Sequence, residues 1–157
     1  MLFTVLIVSL ILTIAIGISN LTLRQAILSN LAKDSGVAFY QADAGVECGM
    51  YQDAILGNFP YEPGDTPSVP PPNTFECGDQ TMTLDTLVSN QDTSSTNNYR
   101  YVPEESLRES TQPCFTISFD KRQAALPEGG YSAVRSSGYS SCAQSPRQVE
   151  RLLQVTY

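Results

Sequence analysis

Residues 1–23 contain no Asp, Glu, Lys or Arg. Leu, Ile and Val dominate there, with polar interruptions only at Thr4, Ser9, Thr13, Ser19, Asn20 and Thr22. Wound at 1.5 Å per residue, a run of that length spans about 30 Å of hydrocarbon, so the pattern predicts a transmembrane-length apolar helix. Helix-compatible sequence then continues to Phe59, because the first proline is Pro60. Beyond Arg24, Ile27, Leu31, Ala38, Phe39, Ala42, Val46 and Met50 lie close to one helical stripe, which predicts an amphipathic continuation to about residue 56. One helix of that length would measure about 80 Å, so its second half is expected to stand in water and support something. Within that half, Ala38, Ala42, Gly45 and Gly49 recur at spacings of four, three and four. Such a small-residue face lets a sheet or a second helix come close to the backbone. Gly17 and Gly36 are candidates for local bending.

The pattern changes after Leu56. Six prolines (Pro60, Pro63, Pro67, Pro70, Pro71 and Pro72) fall within residues 57–73, which predicts an extended loop. Short strand-like runs follow at 74–77, 81–87, 99–102, 114–119, 131–134 and 149–157. Turn chemistry separates them: Gly78-Asp79, the Ser/Thr/Asn stretch 89–98, Pro127-Glu128-Gly129-Gly130 and Ser145-Pro146. In the last run Val149, Arg151, Leu153, Val155 and Tyr157 share one face. Close spacing favours hairpins and an antiparallel meander. The expected fold is therefore α+β: a long N-terminal helix, apolar in its first half and amphipathic in its second, packed on a small antiparallel sheet. Residues 1–23 form the hydrophobic helix in this reading, and residues 24–157 the head.

Charge and cysteines narrow the functions open to such a chain. The net charge is −7, with the nine Lys/Arg scattered, which argues against nucleic acid or anionic lipid as a partner. Cys48, Cys77, Cys114 and Cys142 stand far apart, with no histidine anywhere, so no zinc-ligand spacing exists. An even number of isolated cysteines beside a membrane-length segment reads as two disulfides in an oxidising, extracytoplasmic compartment. Three connectivities are open; Cys48–Cys77 with Cys114–Cys142 is favoured because each closes about 30 residues around a turn-rich segment. Without histidine, Ser-His-Asp and Cys-His catalysis is impossible, and no phosphate loop or metal motif is present. The expectation is a non-enzyme with no cofactor and no metal. The absence of a basic flank before the apolar run reads as an end left by leader removal.

Three segments carry a resemblance. Met1-Leu2-Phe3-Thr4-Val5-Leu6-Ile7 resembles the start of a processed prepilin. Ala38-Phe39-Tyr40-Gln41-Ala42-Asp43-Ala44-Gly45-Val46-Glu47-Cys48 is similar to a stretch of pilin-like proteins in small-genome, mostly uncultured bacterial lineages. Ser137-Gly138-Tyr139-Ser140-Ser141-Cys142 followed by Arg147-Gln148-Val149-Glu150-Arg151 resembles the C-terminal strand pair of the same group. Together they resemble type IV pilins and pseudopilins along the whole chain.

The resemblance implies a structural subunit of an extracellular filament serving adhesion, motility or DNA uptake. A prepilin peptidase would leave a processed, methylated N-terminus at Met1, or at Phe3 in the alternative register. The chain would sit in membrane lipid first, then be drawn by inner-membrane assembly machinery into a helical filament of its own copies or other pilins. Leu6, Leu10, Ile14, Gly17 and Leu21 would pack in the filament core, and no nucleic-acid partner is implied by the charge. One position departs from the family pattern. Most major pilins carry Glu at the fifth mature position, which here is Val5, or Ile7 counting from Phe3. An uncharged residue there is typical of minor, tip-located pseudopilins, although the lineage-specific group often lacks that Glu. The alternatives are therefore a minor or tip pseudopilin of a type II secretion-like system, and a single-pass anchored envelope binding domain that does not polymerise.

Overall fold

A computed structural model describes residues 2–59, 71–90, 96–122, 131–143, 145–146 and 148–157. The N-terminal position Met1, residues 60–70 of the Pro-rich loop, residues 91–95 and the turn expected at 127–130 lie outside them. The chain forms an α+β fold with a long N-terminal helix, a six-stranded antiparallel sheet and two disulfides. Its contacts separate two compact units, Met1–Asp34 and Ser35–Tyr157. Ile27 and Leu31, assigned to the amphipathic stripe, are more than half exposed and belong to the first unit, with the apolar run.

Helix α1 runs over Leu2–Met50 and ends in a π-helical turn, Tyr51–Ile55. The end is built from local chemistry. Leu56 N–H donates to the Tyr51 carbonyl, Asn58 N–H donates to the Gln52 carbonyl, and Gly57 takes the left-handed φ of 64° that a helix terminus favours. Phe59 then turns inward and is 2% exposed. It was expected in an extended loop, yet it stacks on Phe119 at 4.0 Å and meets Phe75, Tyr99 and Tyr101 edge-on or tilted.

The sheet comprises β1 (Thr74–Cys77), β2 (Gln80–Asn90), β3 (Thr96–Pro103), β4 (Cys114–Arg122), β5 (Tyr131–Tyr139) and β6 (Glu150–Thr156), ordered in space as in sequence. A short helix α2 (Glu105–Arg108) sits between β3 and β4. The β1–β2 hairpin turns on Gly78-Asp79, where Gly78 adopts φ 63°. Two polar stretches are strand where composition pointed to turn or loop. β2 and β3 extend into the 89–98 segment because their ladder continues through Val88↔Asn98 and Asn90↔Thr96. β5 continues past Val134 through Arg135, Ser136, Ser137 and Gly138 because β4 and β6 pair with it on both sides. Tertiary pairing overrides weak strand propensity there.

The inner face of the sheet supplies Tyr99, Tyr101, Phe115, Ile117, Phe119 and Val134 to the core, and Met82 and Phe75 extend it towards β1. In the second unit, the helix face carrying Ala38, Ala42, Val46 and Gly49 is buried against it. Phe39, placed on that stripe by periodicity, is 46% exposed instead. The sheet-facing residues are the small ones and Val46, and a residue one step round the helix from Ala38 points away.

Candidate functional site

The first surface able to act is the apolar run itself. Between Phe3 and Leu23, thirteen large apolar side chains are each at least 45% exposed. Three of its hydroxyls bond within the helix. Ser9 donates to the Leu6 carbonyl, Thr13 to that of Ser9 and Thr22 to that of Ile18, so these three hydroxyls are absorbed by the helix's own backbone. The helix is long and apolar enough to cross a membrane. Leu6, Leu10, Ile14 and Leu21 are 55–63% exposed, and the open space around Gly17 would accept a side chain. These five follow one another at spacings of four, four, three and four, one stripe on the helix surface. Phe3 and Val5 are likewise exposed.

The second feature is the seam between helix and sheet. Ala38 and Ala42 are fully buried. A Cβ on Gly45 would run into the Ser136 hydroxyl and come within 2.8 Å of Phe115 Cδ2. One on Gly49 would sit 2.6 Å from Val134 Cγ1 and 3.2 Å from Ile117 Cγ2. From the sheet side, a Cβ on Gly138 would collide with the Ala38 carbonyl oxygen and the Ala42 amide nitrogen. The structure thus brings Ala38, Ala42, Gly45 and Gly49 together along β4 and β5, with helix backbone against strand backbone at Gly138. Ser136 Oγ, fully buried in this seam, has no hydrogen-bond partner.

Fasteners close both ends of the seam. Near its start, Arg151 on β6 donates from Nε and Nη2 to Ser35 Oγ at 3.0 and 2.7 Å. Near its end, Cys48 is bonded to Cys77 on β1, with Cα atoms 5.8 Å apart. The other bridge joins Cys114 to Cys142, with Cα atoms 5.5 Å apart, so the pairing is the one favoured from loop length. In the π-helical turn, Asp53 reaches Lys121 of β4. The ammonium donates to Asp53 Oδ1 at 2.5 Å, to Asp53 Oδ2, and to Ser132 Oγ at 2.9 Å, which uses all three of its protons. Tyr157 Oη donates to Asp53 Oδ2, and its backbone exchanges two 2.9 Å hydrogen bonds with Ser132. Burial, and then the hydrogen bond and negative charge of Asp53, hold the Tyr157 phenol well above its ordinary value. Burial, with Tyr99 adding, does the same for Tyr101, whose hydroxyl donates to the Pro72 carbonyl at 2.8 Å. A Lys, Asp, Tyr and Ser cluster resembles proton-transfer machinery in composition alone. Here every ammonium proton is committed within a buried network, which makes it a clamp.

The third surface is the sheet's outer face. Two adjoining hollows, of about 570 and 250 Å³, share Arg100, Thr116 and Tyr139 in their walls. Among the described residues, no group of three or more His, Cys, Asp or Glu is placed to hold a metal ion.

No family model, curated protein or solved structure matches the chain.

Sequence reasoning passed over several of the residues that matter. Asp53 and Lys121 are 68 positions apart, and no periodicity links them. The signal for Gly138 was available, since a glycine inside a strand often marks close backbone approach. For Arg100 and Arg135, the signal lies in strand register, which sequence does not fix.

Proposed function

We propose that the chain is a structural subunit of a type IV pilus-like extracellular filament, held in the membrane by its N-terminal helix before assembly. The observation that carries this reading is the unbroken exposure of the apolar run, in a helix whose later residues are fastened to a disulfide-stapled sheet. Covering the thirteen side chains would gain up to about 1.5–3 kcal/mol each, a driving force out of water far larger than the stability of a typical domain. The run therefore needs lipid or neighbouring helices around it. A filament core offers the same apolar surroundings as the bilayer and adds close packing, for which the Gly17 position leaves room. Beyond the run, the head's own helix keeps Phe39, Tyr40, Tyr51 and Ile55 exposed, a further surface for neighbouring subunits.

Expression of the full chain in a cell with pilus assembly machinery, followed by shearing and immunogold labelling of the head, tests the reading. Labelling along whole shafts is the expected result. Labelling confined to tips would support the minor or pseudopilin alternative, and label retained in the membrane with no filament would support the anchored domain. Either outcome overturns the shaft-subunit reading.

A further inference from the structure

The outer face of the sheet sets two arginines side by side in a chain of net charge −7. Strand register creates the arrangement. Arg100 on β3 stands opposite Ser118 on β4, which stands opposite Arg135 on β5, which in turn faces Gln154 on β6. The two guanidiniums thus flank a hydroxyl in one cross-strand row, their backbones two strand spacings, or roughly 10 Å, apart. Both arginines are exposed, and both line the smaller hollow with Thr116, Ser137, Tyr139 and Glu150. The larger hollow continues from Arg100 to Arg108.

The arginines are held in place while most of their donors stay available. Arg135 Nε donates to Gln154 Oε1 at 2.8 Å, and Arg108 Nε donates to the Pro103 carbonyl at 3.2 Å. Among the described residues no ion pair is formed by any of the three; the Lys121–Asp53 clamp lies on the opposite face. Carboxylates are nevertheless close by: buried Asp120 is the next residue on this face of β4 after Ser118, diagonal to both Arg100 and Arg135. Glu150 accepts from Tyr139 Oη at 3.3 Å, and Glu109 lies in the wall of the larger hollow.

We propose that this groove binds a carboxylated sugar, of the uronic or sialic acid kind, as presented on a cell-surface polysaccharide. Arg100 and Arg135 supply planar, bidentate recognition of the carboxylate. Ser118, Thr116 and Ser137 offer hydroxyls for the sugar's own hydroxyls, Glu150 accepts from them, and the Tyr139 ring supplies an apolar wall. The carboxylates discriminate against a nucleic acid, whose backbone charge recurs at every phosphate and meets both the Glu residues and the chain's overall negative potential. The inference does not rest on the filament reading, since an anchored head would present the same face.

The test is calorimetric titration of the full chain in detergent micelles with four probes: oligogalacturonate, its methyl ester, sialyllactose and a single-stranded oligodeoxynucleotide. Binding of oligogalacturonate or of sialyllactose is expected, and the arm that binds identifies the kind of acid. The double variant Arg100→Gln/Arg135→Gln should weaken that binding by roughly ten- to a hundred-fold, the loss expected for charge-assisted hydrogen bonds. Methyl esterification of the galacturonate should weaken its binding similarly and needs no altered protein. The proposal is overturned if neither acid binds, if the variant or the ester binds as well as its parent, or if the oligonucleotide binds at least as tightly as both sugars.

Discussion

Removing Asp53 should destabilise the head far more than removing a surface carboxylate. The Lys121 and Asp53 side chains are 7% and 3% exposed, and the ammonium has Asp53 Oδ1, Asp53 Oδ2 and Ser132 Oγ as its acceptors. In Asp53→Ala two of those three acceptors vanish and the ammonium remains buried with one. The expected loss is about 3–5 kcal/mol, the cost of stranding one partner of a buried pair. For the 123-residue unit Ser35–Tyr157 this corresponds to a fall in Tm of about 12–20 °C. The decisive comparison is Asp53→Leu/Lys121→Met, which removes both charges and fills the space with apolar groups. It should recover most of the loss, since replacing a whole buried pair by apolar residues is often neutral or stabilising. Tyr157 would lose its acceptor in either variant, but it is 45% exposed and water can serve instead. Thermal unfolding of the full chain in detergent, followed by near-ultraviolet circular dichroism of its tyrosines, measures all three proteins. A loss below about 1 kcal/mol for Asp53→Ala is the range of an exposed ion pair and would refute the account of Lys121 as fully enclosed.

The helix–sheet seam predicts opposite outcomes for two glycines. Gly138→Val places a side chain against helix backbone at Ala38 and Ala42 and should lower stability by about 1–3 kcal/mol or more, whereas Gly36→Ala meets open space and should raise it by up to about 1 kcal/mol; chemical denaturation of each variant gives both values. Replacing either disulfide by paired serines should remove about 3–4 kcal/mol on the chain-entropy account, given sequence separations of 29 and 28, and peptide mapping without reductant should find Cys48 joined to Cys77 and Cys114 to Cys142. Tyr101 and Tyr157 should titrate later than exposed phenols. Their folded values lie above the ordinary phenol value of about 10, so their contribution to stability is complete below that pH and is lost as pH rises through the folded values; phenolate absorbance against pH, with and without denaturant, follows it.

The elements were legible in the sequence where one physical cause dominated. The apolar run, the proline that bars helix beyond Phe59, and the Gly78-Asp79 turn each dictate local geometry with little help from elsewhere, and the six strand runs announced the meander. Strand ends were less legible, because the residues from Arg135 to Gly138 are strand only through pairing on both sides. Phe59 was hidden by its neighbours: the prolines that follow mark an extended loop, but do not reveal that the residue entering it stacks on Phe119. The Asp53–Lys121 clamp and the row from Arg100 to Arg135 depend on register and on the exact angular position of the helix end. The π-helical turn sets that position, and one extra residue per turn leaves no compositional trace.

The fasteners on the head's helix act by different physics, and this bears on how the head would respond to a pull on its helix. From Ser35 to Asp53 the helix advances about 27 Å. Along that length it is tied to β6 by Arg151, to β5 by backbone contact at Gly138, to β1 by Cys48–Cys77, and to β4 by Asp53–Lys121. Drawing the helix along the seam would have to drag Gly45 past Ser136 and Gly49 past Val134, where no space exists for a neighbouring side chain to pass. The disulfide adds a limit that packing alone lacks: even with every non-covalent contact broken, residue 48 stays attached to β1. The Cys114–Cys142 bridge does the same for the segment after β5. A head that only needed to fold in still water would gain stability from either bridge wherever it lay. Joining the helix itself to the sheet adds something more, a covalent path from the helix into the sheet that does not depend on the surroundings of the apolar run.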